Sequence, residues 1–137
     1  MTRIAISGPT DLTAEQVELV TRDFEQRISP GDEVVSGAAF GVDTIGAKAA
    51  KPCGATLTLT IPKDLWHNRD LRKLADRVIE VRGSYMNRND RTADESDSLI
   101  AYPQTSTEEL RSGTWATVRR FRKRGKEVTV VSLDSLL

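Results

Sequence analysis

Hydrophobic and polar positions alternate with two different periods along the chain. Arg3-Ile4-Ala5-Ile6-Ser7 has period two and ends at Gly8-Pro9-Thr10, which predicts a strand running into a turn. Thr13-Ala14-Glu15-Gln16 then has the capping-box form, and Val17, Val20, Phe24 and Ile28 recur at helical spacing until Pro30-Gly31 stops the helix. Glu33-Val34-Val35 predicts a second strand, delivering the chain into Ser36-Gly37-Ala38-Ala39-Phe40-Gly41. Small, helix-compatible residues follow from Val42 to Lys51, closed by Pro52.

In the second half, Thr56 to Ile61 alternates Thr with Leu or Ile, the pattern of a strand with one buried face. A helix is expected over Trp66 to Ala75, a strand over Val78 to Val81, and a polar helix over Met86 to Glu95. Ser98-Leu99-Ile100-Ala101-Tyr102 predicts a fifth strand. Gly113 to Lys123 predicts a helix with Trp115, Val118 and Phe121 on one face. Gly125 stops that helix and Glu127 to Val131 predicts the last strand. Strands alternating with helices predict an α/β chain with a Rossmann-like, doubly wound, mainly parallel sheet and helices on both faces. Right-handed crossovers then gather the strand-to-helix loops along one sheet edge, where ligands bind in such folds.

Composition narrows the class. The chain has 137 residues, near the commonest domain size, and no linker or repeat interrupts it, so one domain over residues 1–137 is expected. Lys plus Arg number 20 and Asp plus Glu number 20, and this zero balance counts against a general polyanion coat. One cysteine, Cys53, excludes an internal disulfide and a cysteine zinc site, and makes a cytoplasmic location the expectation. One histidine, His67, excludes a multi-histidine metal site and, having no Ser or Asp partner in sequence, suggests no nucleophile triad. No apolar run approaches a membrane span of about 20 residues, so no membrane partner is expected.

Candidate chemistry sits in three junctions rich in small and hydroxylated residues: Ser7-Gly8-Pro9-Thr10, Ser36-Gly37-Ala38-Ala39-Phe40-Gly41-Val42-Asp43 and Ser112-Gly113-Thr114. Glycine lets a ligand approach the backbone, and a helix N-terminus presents unpaired N–H groups with a favourable dipole. Any one such loop is also an ordinary turn or cap. Three on one sheet edge point to a shared pocket for a phosphate or another anion. Asp43 is expected to cap its helix, or to bond a ribose hydroxyl.

These residues carry a resemblance. Val34-Val35-Ser36-Gly37-Ala38-Ala39-Phe40-Gly41-Val42-Asp43-Thr44 resembles the VSGGARGIDTAAH signature of the DNA-processing protein A (Smf) family, with Ala38 and Phe40 in place of its second Gly and its Arg. Arg88-Asn89, Ser96-Asp97-Ser98-Leu99-Ile100, Ser112-Gly113-Thr114 and Gly125-Lys126-Glu127-Val128 follow in that family's order. The same framework is similar to the Lonely Guy phosphoribohydrolases and the wider SLOG superfamily. The resemblance runs from Arg3 to Val131 and implies a Rossmann-like domain that binds nucleotides or nucleotide-derived ligands, often as a homodimer, with no further cofactor. The family's pocket maps onto Ser7, Gly8, Pro9 and Thr10; Ser36, Gly37, Ala38, Phe40, Gly41, Val42 and Asp43; Arg88 and Asn89; and Ser112, Gly113 and Thr114. Arg88 lies nine residues before Asp97, the spacing of the catalytic arginine in Lonely Guy enzymes, and its guanidinium suits a phosphate or carboxylate.

One departure bears on chemistry. The Lonely Guy motif PGGxGTxxE ends in a glutamate that helps cleave an N-glycosidic bond, and Thr117 stands at that position here. Glu108 and Glu109, in the loop ahead, are expected to be solvated. Binding of a nucleotide-derived ligand without secure catalysis is therefore the leading expectation, with an N-glycosidase acting on nucleoside monophosphates as one alternative. A second alternative is a single-stranded nucleic-acid module using Arg119, Arg120 and Lys123, from a run holding six basic residues in the eight from Arg119 to Lys126. Such a run is more often the polar face and C-terminal turn of an amphipathic helix, and that reading is the favoured one. Asp90, Asp94, Glu95 and Asp97 follow no calcium-loop spacing, so a solvated helix face is expected and no metal.

Overall fold

A computed structural model describes residues 2–63, 69–83 and 85–137. The six strands are β1 (Arg3–Ser7), β2 (Glu33–Ser36), β3 (Thr56–Pro62), β4 (Arg77–Val81), β5 (Ser98–Ala101) and β6 (Glu127–Val130). The helices are α1 (Ala14–Arg27), α2 (Val42–Ala50), α3 (Arg69–Leu74), α4 (Tyr85–Glu95), α5 (Gly113–Lys123) and a short α6 (Leu133–Leu136). All five strand pairs are parallel, in the order β4-β3-β2-β1-β5-β6.

That order dictates the layers. The chain steps from β1 to β4 in one direction, so right-handed crossovers set α1, α2 and α3 on one face. From β4 it crosses back to β5 and on to β6 in the other direction, which sets α4 and α5 on the opposite face. Side chains alternate accordingly. Ile4, Ile6, Val34 and Ile100 pack with Val20 and Phe24 of α1 and Val42 and Ile45 of α2. Ala5, Val35, Leu99 and Ala101 pack with Ala93 of α4 and Trp115, Val118 and Phe121 of α5. Each large side chain so buried contributes roughly 1.5–3 kcal/mol of transfer free energy.

The expected elements are present with small shifts of boundary. The capping box at Thr13 forms as its sequence predicts: Gln16 N–H donates to the Thr13 hydroxyl at 3.1 Å and Thr13 N–H donates to Gln16 Oε1 at 3.0 Å. Val17, expected on the apolar stripe, stays exposed in the first turn. Residues 66–68 of the helix expected over Trp66 to Ala75 lie outside the described residues, His67 among them. The final α6 carries no helical signal of its own, and Leu133 anchors it in the core.

Strand β3 differs in kind from its expectation. Both faces are buried: Leu57, Leu59 and Ile61 on one, Thr58 and Thr60 on the other. The cause is topological, because α4 returns across the sheet and covers the threonine face. The Thr60 hydroxyl meets the Thr92 hydroxyl at 2.6 Å, and Thr92 in turn donates to Arg88 O at 2.9 Å. These bonds satisfy the buried hydroxyls and seat α4, with Arg88 on it, against the sheet.

Candidate functional site

The reversal of winding falls between β1 and β5. The two strands pair from Ile4–Ser98 to Ser7–Ala101, and Tyr102 N–H donates to Ser7 O at 2.9 Å, so both chains leave the sheet at one level. Their helices then depart toward opposite faces. A crevice must open there, and open α/β sheets bind ligands at this point. A cavity of about 530 Å³ occupies it, within the range of small-molecule sites.

Every one of the three predicted loops reaches the cavity, but they do not play equal parts. Ser7, Gly8, Pro9 and Thr10 line it, as do Arg88, Asn89, Ser112, Gly113 and Thr114. From the second loop only Gly37, Ala39 and Asp43 do. Five residues expected there lie elsewhere. The Ser36 hydroxyl turns inward, donating to Asp43 O at 2.7 Å and accepting from Ala38 N–H at 3.2 Å. Ala38 and Val42 are core residues, and the Phe40 side chain is 57% exposed away from the lining. Gly41 has φ +78°, and a Cβ on it would collide with the carbonyl oxygens of Pro9 and Thr10. This glycine lets two loops close on each other, not a ligand on the backbone.

The helix termini differ in the same way. At α2 the Val42 N–H is already donated to Pro9 O at 3.1 Å, and the helix brings the Asp43 carboxylate toward the cavity. At α5 the Ser112 hydroxyl caps Trp115 N–H at 3.3 Å, leaving the N–H groups of Gly113 and Thr114, which no intrahelical carbonyl reaches, on the cavity wall. A Cβ on Gly113 would meet nothing within 4 Å. Of the two termini, that of α5 is the one whose first two residues, Gly113 and Thr114, both line the cavity.

Arg88 comes from α4, in the same layer as α5. Its Nη1 donates to Gly37 O at 3.1 Å and its Nη2 to Asn89 Oδ1 at 3.2 Å, which directs the guanidinium along the cavity floor. Gly37 leaves it room: a Cβ there would sit 2.9 Å from Asp43 Oδ2 and 3.1 Å from Arg88 Nη1. Asp43 is buried beside it, and its expected capping is limited to a long 3.4 Å bond from Ala39 N–H. Burial pushes the Asp43 carboxyl up to about 6, against a lowering by the Arg88 charge and the Ala39 N–H.

Sequence reasoning missed several lining residues. Pro103, Gln104, Thr105 and Glu109 come from the loop after β5, whose polar composition carries no signal of its position. Thr92 and Thr117 line the cavity through helix faces, and Thr117 donates its hydroxyl to Gly113 O at 3.1 Å. The two adjacent glutamates separate: Glu108 pairs with Arg119 at 3.1 Å, while Glu109 faces the cavity.

The basic run of α5 is engaged within the fold. Arg120 pairs with Asp90 at 3.0 Å, and Arg124 with Asp94 at 2.8 Å and Asp90 at 3.4 Å. Lys126 donates to Ala93 O at 2.6 Å, and Arg119 also donates to the carbonyls of Glu109 and Leu110. The acidic face of α4, expected to be solvated, is thus the partner of the basic face of α5. Among the described residues no group of three or more His, Cys, Asp or Glu is placed to hold a metal ion.

No family model matches the sequence, and no curated protein matches it. Solved structures do match in fold. The molybdenum cofactor carrier protein from Chlamydomonas reinhardtii superposes with a TM-score of 0.72 at 22% identity, over 98% of this chain and 79% of that one. DNA processing protein A from Streptococcus pneumoniae gives 0.68 at 20% identity, over 94% of this chain and 50% of that one. DNA processing protein A from Helicobacter pylori, described with a single-stranded DNA binding mode, gives 0.64 at 22% identity over 94% and 64%. This chain therefore spans only half to two-thirds of the two DNA-processing proteins.

Proposed function

We propose that this chain, whose Rossmann-like fold is shared by those solved structures, binds a nucleotide or nucleotide-derived ligand between β1 and β5. The anionic group of the ligand rests at the N-terminus of α5 beside Arg88. One observation carries this reading: the N-terminus of α5 and the Arg88 guanidinium from the neighbouring helix α4 line a single cavity at the switch point of the sheet. The Thr10, Thr105 and Thr114 hydroxyls supply further donors for phosphate oxygens or sugar hydroxyls.

The proposal is binding and not bond cleavage. Thr117 has no carboxyl to move a proton, and its hydroxyl is held by Gly113 O. Single-stranded nucleic acid on the α5 surface has less support, because Arg119 and Arg120 already hold carboxylates and carbonyls. Only Lys123 of that trio stands exposed without such a bond.

A thermal-shift panel of nucleotides and nucleotide derivatives tests the proposal. At least one compound is expected to raise the melting temperature of the native protein. Arg88→Ala, which removes the charge, and Thr114→Val, which removes one hydroxyl at nearly constant volume, are expected to weaken its binding roughly ten- to hundredfold and a few-fold respectively. No stabilisation by any member at millimolar concentration, or equal binding by both variants, overturns the reading.

A further inference from the structure

The charges around the cavity are lopsided in a way the sequence total of zero conceals. Among the described residues its lining carries one cation, Arg88, and three carboxylates, Asp11, Asp43 and Glu109. Asp43 lies beside Arg88 on the floor and offsets part of its charge. Asp11 and Glu109 are different: both are exposed, and neither side chain makes a hydrogen bond or ion pair with another described residue. Asp11 follows β1 and Glu109 follows β5, so they stand on the two loops that bound the crevice.

We infer that Asp11 and Glu109 are specificity-determining residues that admit a ligand with one anionic group and reject polyphosphates. This rests on the nucleotide reading of the cavity and narrows it. A single phosphate is matched by Arg88 and the N–H groups of Gly113 and Thr114, whose partial positive charge is confined to one helix turn. A polyphosphate chain extends beyond that turn, and its further charges come to lie between two unpaired carboxylates with no second cation in the described lining. Specificity of this kind comes from repulsion of the wrong ligand as much as attraction of the right one. The neighbouring pair shows the arrangement: Glu108 is neutralised by Arg119 at 3.1 Å and Arg122 at 3.8 Å, while Glu109 is left to the cavity.

The test compares affinities for the mono- and triphosphates of adenosine, guanosine, cytidine and uridine by calorimetry. A chelator is present, so that no divalent ion masks the phosphate charge. The native protein is expected to bind the monophosphate of its preferred base about tenfold more tightly than the triphosphate at low salt, with the ratio shrinking as salt screens the rim. In the double variant Asp11→Asn, Glu109→Gln the triphosphate is expected to gain most of that factor while the monophosphate changes little. A triphosphate that binds the native protein as tightly as the monophosphate overturns the inference and leaves the nucleotide reading standing. So does a ratio unchanged in the double variant. If none of the eight compounds binds, the nucleotide reading of the cavity falls and this inference falls with it.

Discussion

Asp43 carries its charge where the fold disfavours it. The unfolded chain releases this proton near pH 4, whereas burial holds it in the folded protein up to about 6. Between those values the folded state binds more protons than the unfolded state, so stability contributed by this group falls as pH rises. The loss is complete above about pH 7 and amounts to about 3 kcal/mol at most. Asp43→Asn is therefore expected to flatten the decline in unfolding free energy between about pH 4 and pH 7, measured by urea titration. A variant whose pH profile runs parallel to that of the native protein contradicts this account. Nearby, Ala38 adopts φ +60°, the one described non-glycine residue with positive φ, at the position where the resembling signature has glycine. A backbone in that region costs a non-glycine residue about 1 kcal/mol or more. Composition gave these loops away as special. It did not tell which hydroxyls would face out, because Ser36 and Thr10 look alike until the Ser36 hydroxyl is seen to donate to Asp43 O.

Among the elements, those with a local cause were readable and those with a remote cause were not. The capping box of α1 and the Trp115, Val118 and Phe121 stripe of α5 depend on residues three or four apart, and both form as their spacing predicts. Strand β3 reads as half-exposed because Thr-Leu alternation looks the same whether water or a helix covers the threonines. Only the long return from β4 to β5 decides it. The basic run of α5 is a second example, since its partners Asp90 and Asp94 lie about 30 residues away on α4. These ion pairs join the helix that carries Arg88 to the helix whose N-terminus faces it. The double variant Asp90→Ala, Asp94→Ala is expected to lose about 1 kcal/mol of stability at low salt, since partly exposed pairs contribute a few tenths to one each. The difference is expected to fade near 1 M salt, where the screening length drops to about 3 Å. A loss that persists unchanged at high salt contradicts an electrostatic join.

Over the whole molecule, the zero balance of charge separates into distinct regions. An ion-paired seam joins α4 and α5, and among the described residues the cavity between β1 and β5 is lined by one guanidinium, of Arg88, and by the exposed carboxylates of Asp11 and Glu109. No helix among the described residues is long and apolar enough to cross a membrane. The doubly wound order β4-β3-β2-β1-β5-β6 places the crevice, and small-residue loops leave it open. Because a Cβ on Gly113 meets nothing within 4 Å, Gly113→Val adds its methyl groups to the cavity and not to the core. The dissociation constant of the best nucleotide from the panel, measured on the native protein and on Gly113→Val, tests the cavity assignment most directly. At least a tenfold weakening, with the melting temperature of the free protein unchanged within about 2 °C, is the expected result. Equal affinity in the two proteins would contradict it.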